Sequence, residues 1–208
     1  MKQYRGCSHL YYAIETEASD GTLSYGTPKQ LAPVKSVSRD IASENEAVYA
    51  DNVVQERVYG ATSVTRSFDV MRIDPAVVAE IMGDTTETIG SGANAPVARL
   101  TNPDGSSRPY IAILYALHDG DVDKPCEVVA CYHCKVNSIS LSANTIDDGT
   151  GSEGQTVEIV NVAPKKAWTA TGKRNLDFAL PITTENQSMV ETFFGTVVTP
   201  DNAATVLA

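Results

Sequence analysis

The residues with the most chemistry per position are Cys131-Tyr132-His133-Cys134, with Cys126 and His118 close by in the chain. A structural zinc site takes four nitrogen or sulfur ligands, usually as two close pairs on turns. Here there is one pair, no second pair at a suitable distance, and neither Gly nor Pro between Cys131 and Cys134. The stretch Cys126–Val136 reads as a strand, where an odd spacing sends Cys131 and Cys134 to opposite faces. The expectation is buried free thiols and no metal on Cys126, Cys131 or Cys134. A redox CxxC belongs at a helix N-terminus after a strand, and nothing of that kind follows. Asp119-Gly120-Asp121-Val122-Asp123 begins like a calcium loop, but Lys124 and Ala130 stand where Gly and Glu are required. It reads as a solvated turn between strands. There is no GxSxG elbow and no HExxH, and Gly90–Asn94 lacks the ending of a phosphate loop. The pairs Lys165-Lys166 and Lys173-Arg174 read as charges at hairpin ends. No catalytic, cofactor-binding or metal-binding residue is assigned, and no enzyme activity or cofactor is expected.

The elements around these residues are short and punctuated by 14 Gly and 10 Pro. Alternation with a period of two marks half-buried antiparallel strands. It occurs at Ser138–Ile146, at Leu176, Phe178, Leu180 and Ile182, at Val64, Phe68 and Val70, and at Val157 and Ile159. The run 147–155 reads as a hairpin turn. Two helices are expected. The first runs from about Asp74 to Met82, with Asp74 as N-cap, Pro75 at the first position, a stripe of Val77, Val78, Ile81 and Met82, and Gly83 as stop. The second runs from about Glu185 to Phe194, capped by Thr184 with Gln187 three residues on. Its stripe is Met189, Val190, Phe193 and Phe194. Both should pack an apolar face on a sheet, which gives an α+β fold, mainly antiparallel β. Two excursions stand apart: an acidic one at 42–59 and a polar one at 83–108.

Composition narrows the function classes. The chain has 208 residues, 42% hydrophobic and 20% charged, enough to bury about 70% of its surface in one ordinary core. Sixteen basic against 26 acidic residues give a net charge of −10. That balance argues against gripping nucleic acid or anionic lipid through overall charge. The longest apolar run, Tyr110–Leu117, is too short for a membrane helix. The first residues lack the apolar stretch of a signal peptide, and four cysteines make no disulfide framework. Synthesis and folding in a reducing cytosol are expected.

Three segments in order, Leu10–Ala13 (LYYA), Ser24–Leu31 (SYGTPKQL) and Val48–Asn52 (VYADN), resemble the major tail tube protein of long-tailed, non-contractile (siphovirus-type) bacteriophages. The helix closed by Gly83 and the order of elements fit the same family. The resemblance is clearest over residues 9–83 and general beyond. It implies a single tail tube domain over 1–208, a β-sandwich or partial barrel with one flanking helix and a second short C-terminal helix. Six copies would form a ring, and rings would stack into a tube that conducts DNA without binding it specifically. The partners implied are the chain itself and other tail proteins: tape measure, tail terminator and distal tail protein. The place implied is the virion tail, assembled in the host cytoplasm. The excursion at 42–59 would be the loop that reaches the neighbouring ring, through Glu44, Glu46, Val48, Tyr49, Asp51, Asn52, Val53, Val54 and Glu56. The flanking helix would be Asp74, Pro75, Val77, Val78, Ile81, Met82 and Gly83. The same fold would serve the tube of a phage-derived tail-like particle. A monomeric surface-binding sandwich is a different class; it would show an aromatic platform, and one Trp with scattered Tyr does not suggest one.

Overall fold

A computed structural model describes residues 3–92, 95–121, 123–142 and 154–208. In chain order the elements are β1 (Gly6–Glu17), β2 (Leu23–Tyr25), β3 (Lys29–Gln30), β4 (Val34–Ala50), β5 (Val53–Val70) and α1 (Pro75–Met82). Then come β6 (Thr85–Thr88), β7 (Val97–Leu100), β8 (Ile111–His118), β9 (Glu127–Leu141), β10 (Gln155–Asn161), β11 (Asp177–Pro181), α2 (Met189–Gly195) and α3 (Ala203–Val206). Every described strand pairing is antiparallel. The main sheet runs β2-β1-β8-β9-β10-β5-β4, with β3 added to β1 and β11 to β9; β6 and β7 pair apart from it. The fold is therefore mainly antiparallel sheet with a few short helices, as expected.

The sheet curls without closing. Phe68 on β5 and Tyr115 on β8 are three strands apart in the order, yet their rings meet edge to face at 5.4 Å. The inner face holds Leu10, Tyr12, Phe68, Val70, Ile111, Ile113, Cys131, Val157 and Ile159, and α1 plugs it with Val78 and Ile81. The opposite face of β8 and β9 presents Ala112, Leu114, Ala116, Val128, Ala130 and Tyr132. Trp168, Phe193, Phe194, Val197 and Val198 from the C-terminal segment cover it. β8 is thus buried on both faces, which is why the longest apolar run in the sequence lies there.

Cys131 and Cys134 do not point to opposite faces. Both belong to the inner core and are fully buried. Ile111 pairs with Cys134 and Ile113 with Cys131, so three residues of β9 step past two of β8. His133 takes the odd place with φ 48°. This β-bulge resets the alternation.

α1 has the ends its sequence prescribes. Asp74 is extended and its Oδ1 accepts from the Ala76 N–H at 2.8 Å; Pro75 stands at the start, and Gly83 ends the helix at φ 69°. A Cβ on Gly83 would lie 2.5 Å from the Ser107 carbonyl oxygen. Val78, Ala79 and Ile81 are buried, and Val77 and Met82 pack beside them. Asp74→Ala should cost about 1 kcal/mol of stability, read as a lower urea midpoint at unchanged slope.

The second helix begins later than its capping pattern suggests. It spans Met189–Gly195, and Thr184 does not cap it. Asn186 instead accepts from the Thr183 N–H at 2.7 Å and donates to the Pro181 carbonyl at 3.0 Å, holding a turn where helix was expected. α3 has no counterpart in the periodicity. The expected turn at 147–155 lies outside the described residues up to 153, although β9 and β10 do pair. The polar excursion at 83–108 is partly ordered into the β6–β7 pair and a 3-10 turn at Gly105–Ser107. The acidic excursion at 42–59 is not a loop but the outer half of the β4–β5 hairpin.

Candidate functional site: the long hairpin and the polar core at its base

β5 pairs with β10 only as far as Val64, so, among the described residues, 53–63 pair with β4 alone. At roughly 3.3 Å per residue this two-stranded arm projects about 35 Å past the sheet. Ala50 and Val53 pair at the tip, around Asp51 and Asn52 with φ 53° and 63°. Positive φ at both central residues is the two-residue type I′ hairpin turn, which Asp and Asn tolerate.

The assigned residues fall along this arm. Glu44 lies in β4 at the register shift between Ser43 and Asn45; Glu46 stands opposite Val58, Val48 opposite Glu56, and Tyr49 opposite Val54. Asp51 and Asn52 form the tip, next to Val53. Tyr49 is 68% exposed and Val53 60%, and Val48 and Val54 are exposed as well. Inside the arm, Arg57 donates to Asn45 Oδ1 at 3.1 Å, and Ser43 and Thr62 share a hydroxyl contact at 3.2 Å. An isolated two-stranded hairpin is marginal in water. This one carries apolar side chains that stay largely exposed within the single chain. α1, the other assigned group, sits at the opposite end of β5.

At the base of the arm lies a group that the motif reading passed over. Arg66 on β5 is fully buried. Its guanidinium donates to Asp177 on β11 and to Asn161 Oδ1 on β10, while Nε has no partner among the described residues. Asn161 Nδ2 in turn donates to the Tyr132 carbonyl at 3.0 Å and the Leu176 carbonyl at 3.2 Å. Arg39 stands 3.8 Å from the same Asp177 carboxylate. Burial pushes the neighbouring Cys131 thiol up to about 12, so it is an unreactive thiol at neutral pH. The signal for Arg66 was in the alternation: it holds the inward place between Val64 and Phe68.

The histidines hold the folded chain together. His118 Nε2 meets Ser8 Oγ at 2.7 Å and its Nδ1 meets the Asp121 carbonyl at 2.8 Å, tying the β8–β9 turn to β1. Ser8 Oγ also meets His9 Nδ1 at 2.6 Å, so one hydroxyl serves two rings. His133 at the bulge contacts Glu15 at 2.5 Å and stacks on Tyr110 at 3.9 Å. The Asp121 carboxylate accepts from the Asp123 N–H at 3.0 Å, as in a solvated turn. Lys165 and Lys166 pair with Glu17 and Asp20 at 3.0 and 2.9 Å.

Two of the carboxylates held below their usual range, Asp69 and Glu80, contribute a pH dependence. Ser36 and Thr156 each donate to Asp69 at 2.7 Å and hold it below the usual carboxylate range. Burial pushes Glu80 on α1 up, but Lys29 at 2.7 Å and the Tyr12 hydroxyl at 2.6 Å outweigh it, and its net shift is down. A depressed folded value means stability that is present above the unfolded value and lost as pH falls through the folded one. Unfolding midpoints should therefore be flat near neutrality and fall below about pH 4. Asp69→Asn with Glu80→Gln should weaken that fall.

No protein-family model matches the chain, and no curated protein matches it. Solved structures with some likeness exist. One is a chain of the extracellular contractile injection system PVC sheath-tube complex in its extended state: 10% identity, 84% of this chain and 90% of that chain covered, TM-score 0.41. Another is the tube-terminating cap of the anti-feeding prophage: 9% identity, 83% and 88% covered, TM-score 0.42. A third is Hcp1 from Salmonella typhimurium: 11% identity, 87% and 95% covered, TM-score 0.35. A likeness at this level assigns no function to the chain.

Proposed function

We propose that this chain is the structural subunit of a tail tube, acting as one domain over 1–208 that assembles into stacked, hexameric rings. The observation that carries the reading is the hairpin arm. It reaches about 35 Å beyond its sheet and exposes Val48, Tyr49, Val53 and Val54. The exposed area agrees. A compact monomer of 22.2 kDa would expose roughly 9,400 Å², whereas this chain exposes 12776 Å². About a third more surface than a compact monomer is what neighbours would cover. The unclosed sheet leaves β2 and β4 as edges, and such edges invite strand pairing unless they are covered. Ring closure by rotation would cover them.

The setting is the tail of a non-contractile bacteriophage, on the sequence resemblance over residues 9–83; a phage-derived tail-like particle would use the same subunit. Tape measure, terminator and distal tail proteins are the further partners. Six copies at −10 each carry −60. Directed even partly at the lumen, that charge repels phosphates and lets DNA slide through without specific binding. Sedimentation velocity at rising protein concentration, alone and with other tail proteins, tests the reading. Ring- and tube-sized species are expected. A chain that stays monomeric under all these conditions overturns it.

A further inference from the structure

Arg39 and Arg66 stand directly opposite each other across β4 and β5. Like charges in that position repel. Asp177 answers both with one oxygen: Arg66 holds it as a close hydrogen bond, and Arg39 reaches it only at 3.8 Å. One carboxylate against two guanidinium groups leaves a positive charge over. Arg39 carries it, because the Arg66 side chain is fully buried in the nearer place while that of Arg39 is 49% exposed.

Arg39 lines a cavity of about 420 Å³ at the open mouth of the curled sheet, where β1, β4, β8 and β9 converge. Its floor is apolar: Tyr115 and Val129 are buried, and Val37 and Leu117 are half-buried. Its rim carries Arg5, Lys35 and Arg39 against Glu127. Glu127 already accepts from the Tyr4 hydroxyl. Lys35 is drawn partly to Asp69. Arg5 is exposed and makes no ion pair among the described residues. Behind the floor, the Tyr115 side chain meets the Arg66 guanidinium. In a chain of net charge −10, this mouth is locally positive. Barrel mouths of this size, apolar with a few convergent polar groups, are preferred places for small ligands.

We propose that the mouth of the curled sheet binds a small anionic amphiphile, an acyl group of medium length ending in a carboxylate. The acyl part lies on Val37, Tyr115, Leu117 and Val129. The carboxylate sits between Arg39 and Arg5, and supplies the anion that the two facing guanidinium groups of β4 and β5 lack. The site does not depend on the tube reading, because every wall of the cavity belongs to one copy.

Calorimetric titration of the full chain with octanoate tests it. Octanol keeps the tail without the charge, and acetate keeps the charge without the tail. Octanoate should bind one per chain and at least about tenfold more tightly than either. Arg39→Gln, and separately Arg5→Gln, should each weaken it about tenfold with an unchanged melt, and added salt should weaken it as well. Leu117→Trp, which fills the cavity, should abolish it. Octanoate should still bind when residues 44–61 are replaced by Asn-Gly, which separates the mouth from the exposed valines and Tyr49 of the arm. No binding by the unmodified chain would overturn the proposal. So would octanol binding as tightly as octanoate, an affinity unmoved by both arginine variants, or binding lost with the arm. None of these results bears on whether the chain builds tubes.

Discussion

Replacing residues 44–61 by Asn-Gly is expected to leave a folded chain that no longer builds tubes. Ser43 and Thr62 already pair across the hairpin, so a two-residue turn can close there. Among the residues of that span whose burial is described, none belongs to either buried cluster, and the inner core resumes only with Phe68. Folding should therefore survive, as an unchanged circular dichroism spectrum and a cooperative melt. Assembly should not. Each large apolar side chain fully buried on association contributes roughly 1.5–3 kcal/mol, and the arm offers four. Ordering costs consume much of the gross sum, but a loss of at least about a hundredfold in assembly is expected. Light scattering and microscopy read it directly. Tubes that form as before would show that the arm is dispensable.

Asp177→Ala is expected to cost about 3 kcal/mol of folding stability, although Asp177 is far from any motif. Its carboxylate meets a guanidinium whose side chain is fully buried. Removing the carboxylate leaves the buried Arg66 with only the neutral Asn161 and Tyr115 side chains, and with a Nε that has no partner among the described residues. An uncompensated buried charge accounts for most of the cost, rather than the strength of the pair itself. Arg66→Met added to Asp177→Ala should therefore restore most of the loss. Urea unfolding of the two single variants and the double variant checks it. A loss under about 1 kcal/mol in Asp177→Ala would mean that solvent reaches the guanidinium, and the buried-charge account would fail.

These two sites also mark where the sequence was legible and where it was not. Alternation at Val64, Phe68 and Val70 placed β5 on the core, and Asp74, Pro75 and Gly83 bounded α1 within a residue, because caps act locally. Arg66 sat on the same inward period, but its partners, Asp177 and Asn161, are about 100 residues away and no local rule names them. The bulge at His133 was likewise invisible, since it arises from pairing with β8. It brought Cys134 to the face that a regular strand denies it. The arm read as a loop for two reasons. Its described side chains are nearly all exposed on both strands, so period two carries no contrast between apolar and polar faces. Register shifts at Ser43/Asn45 and Val48/Tyr49 break what contrast remains. The start of α2 was misplaced because Asn186 binds backbone groups on either side and outcompetes helix there.

The most direct test of the central claim is electron microscopy of the concentrated, unmodified chain, alone and with the proposed tail partners, carried to a resolution that traces the β4–β5 hairpin. The account predicts stacked rings in which each arm leaves its own ring and lies on a copy in the next. Monomers under every condition, or rings whose arms end in solvent, would contradict it.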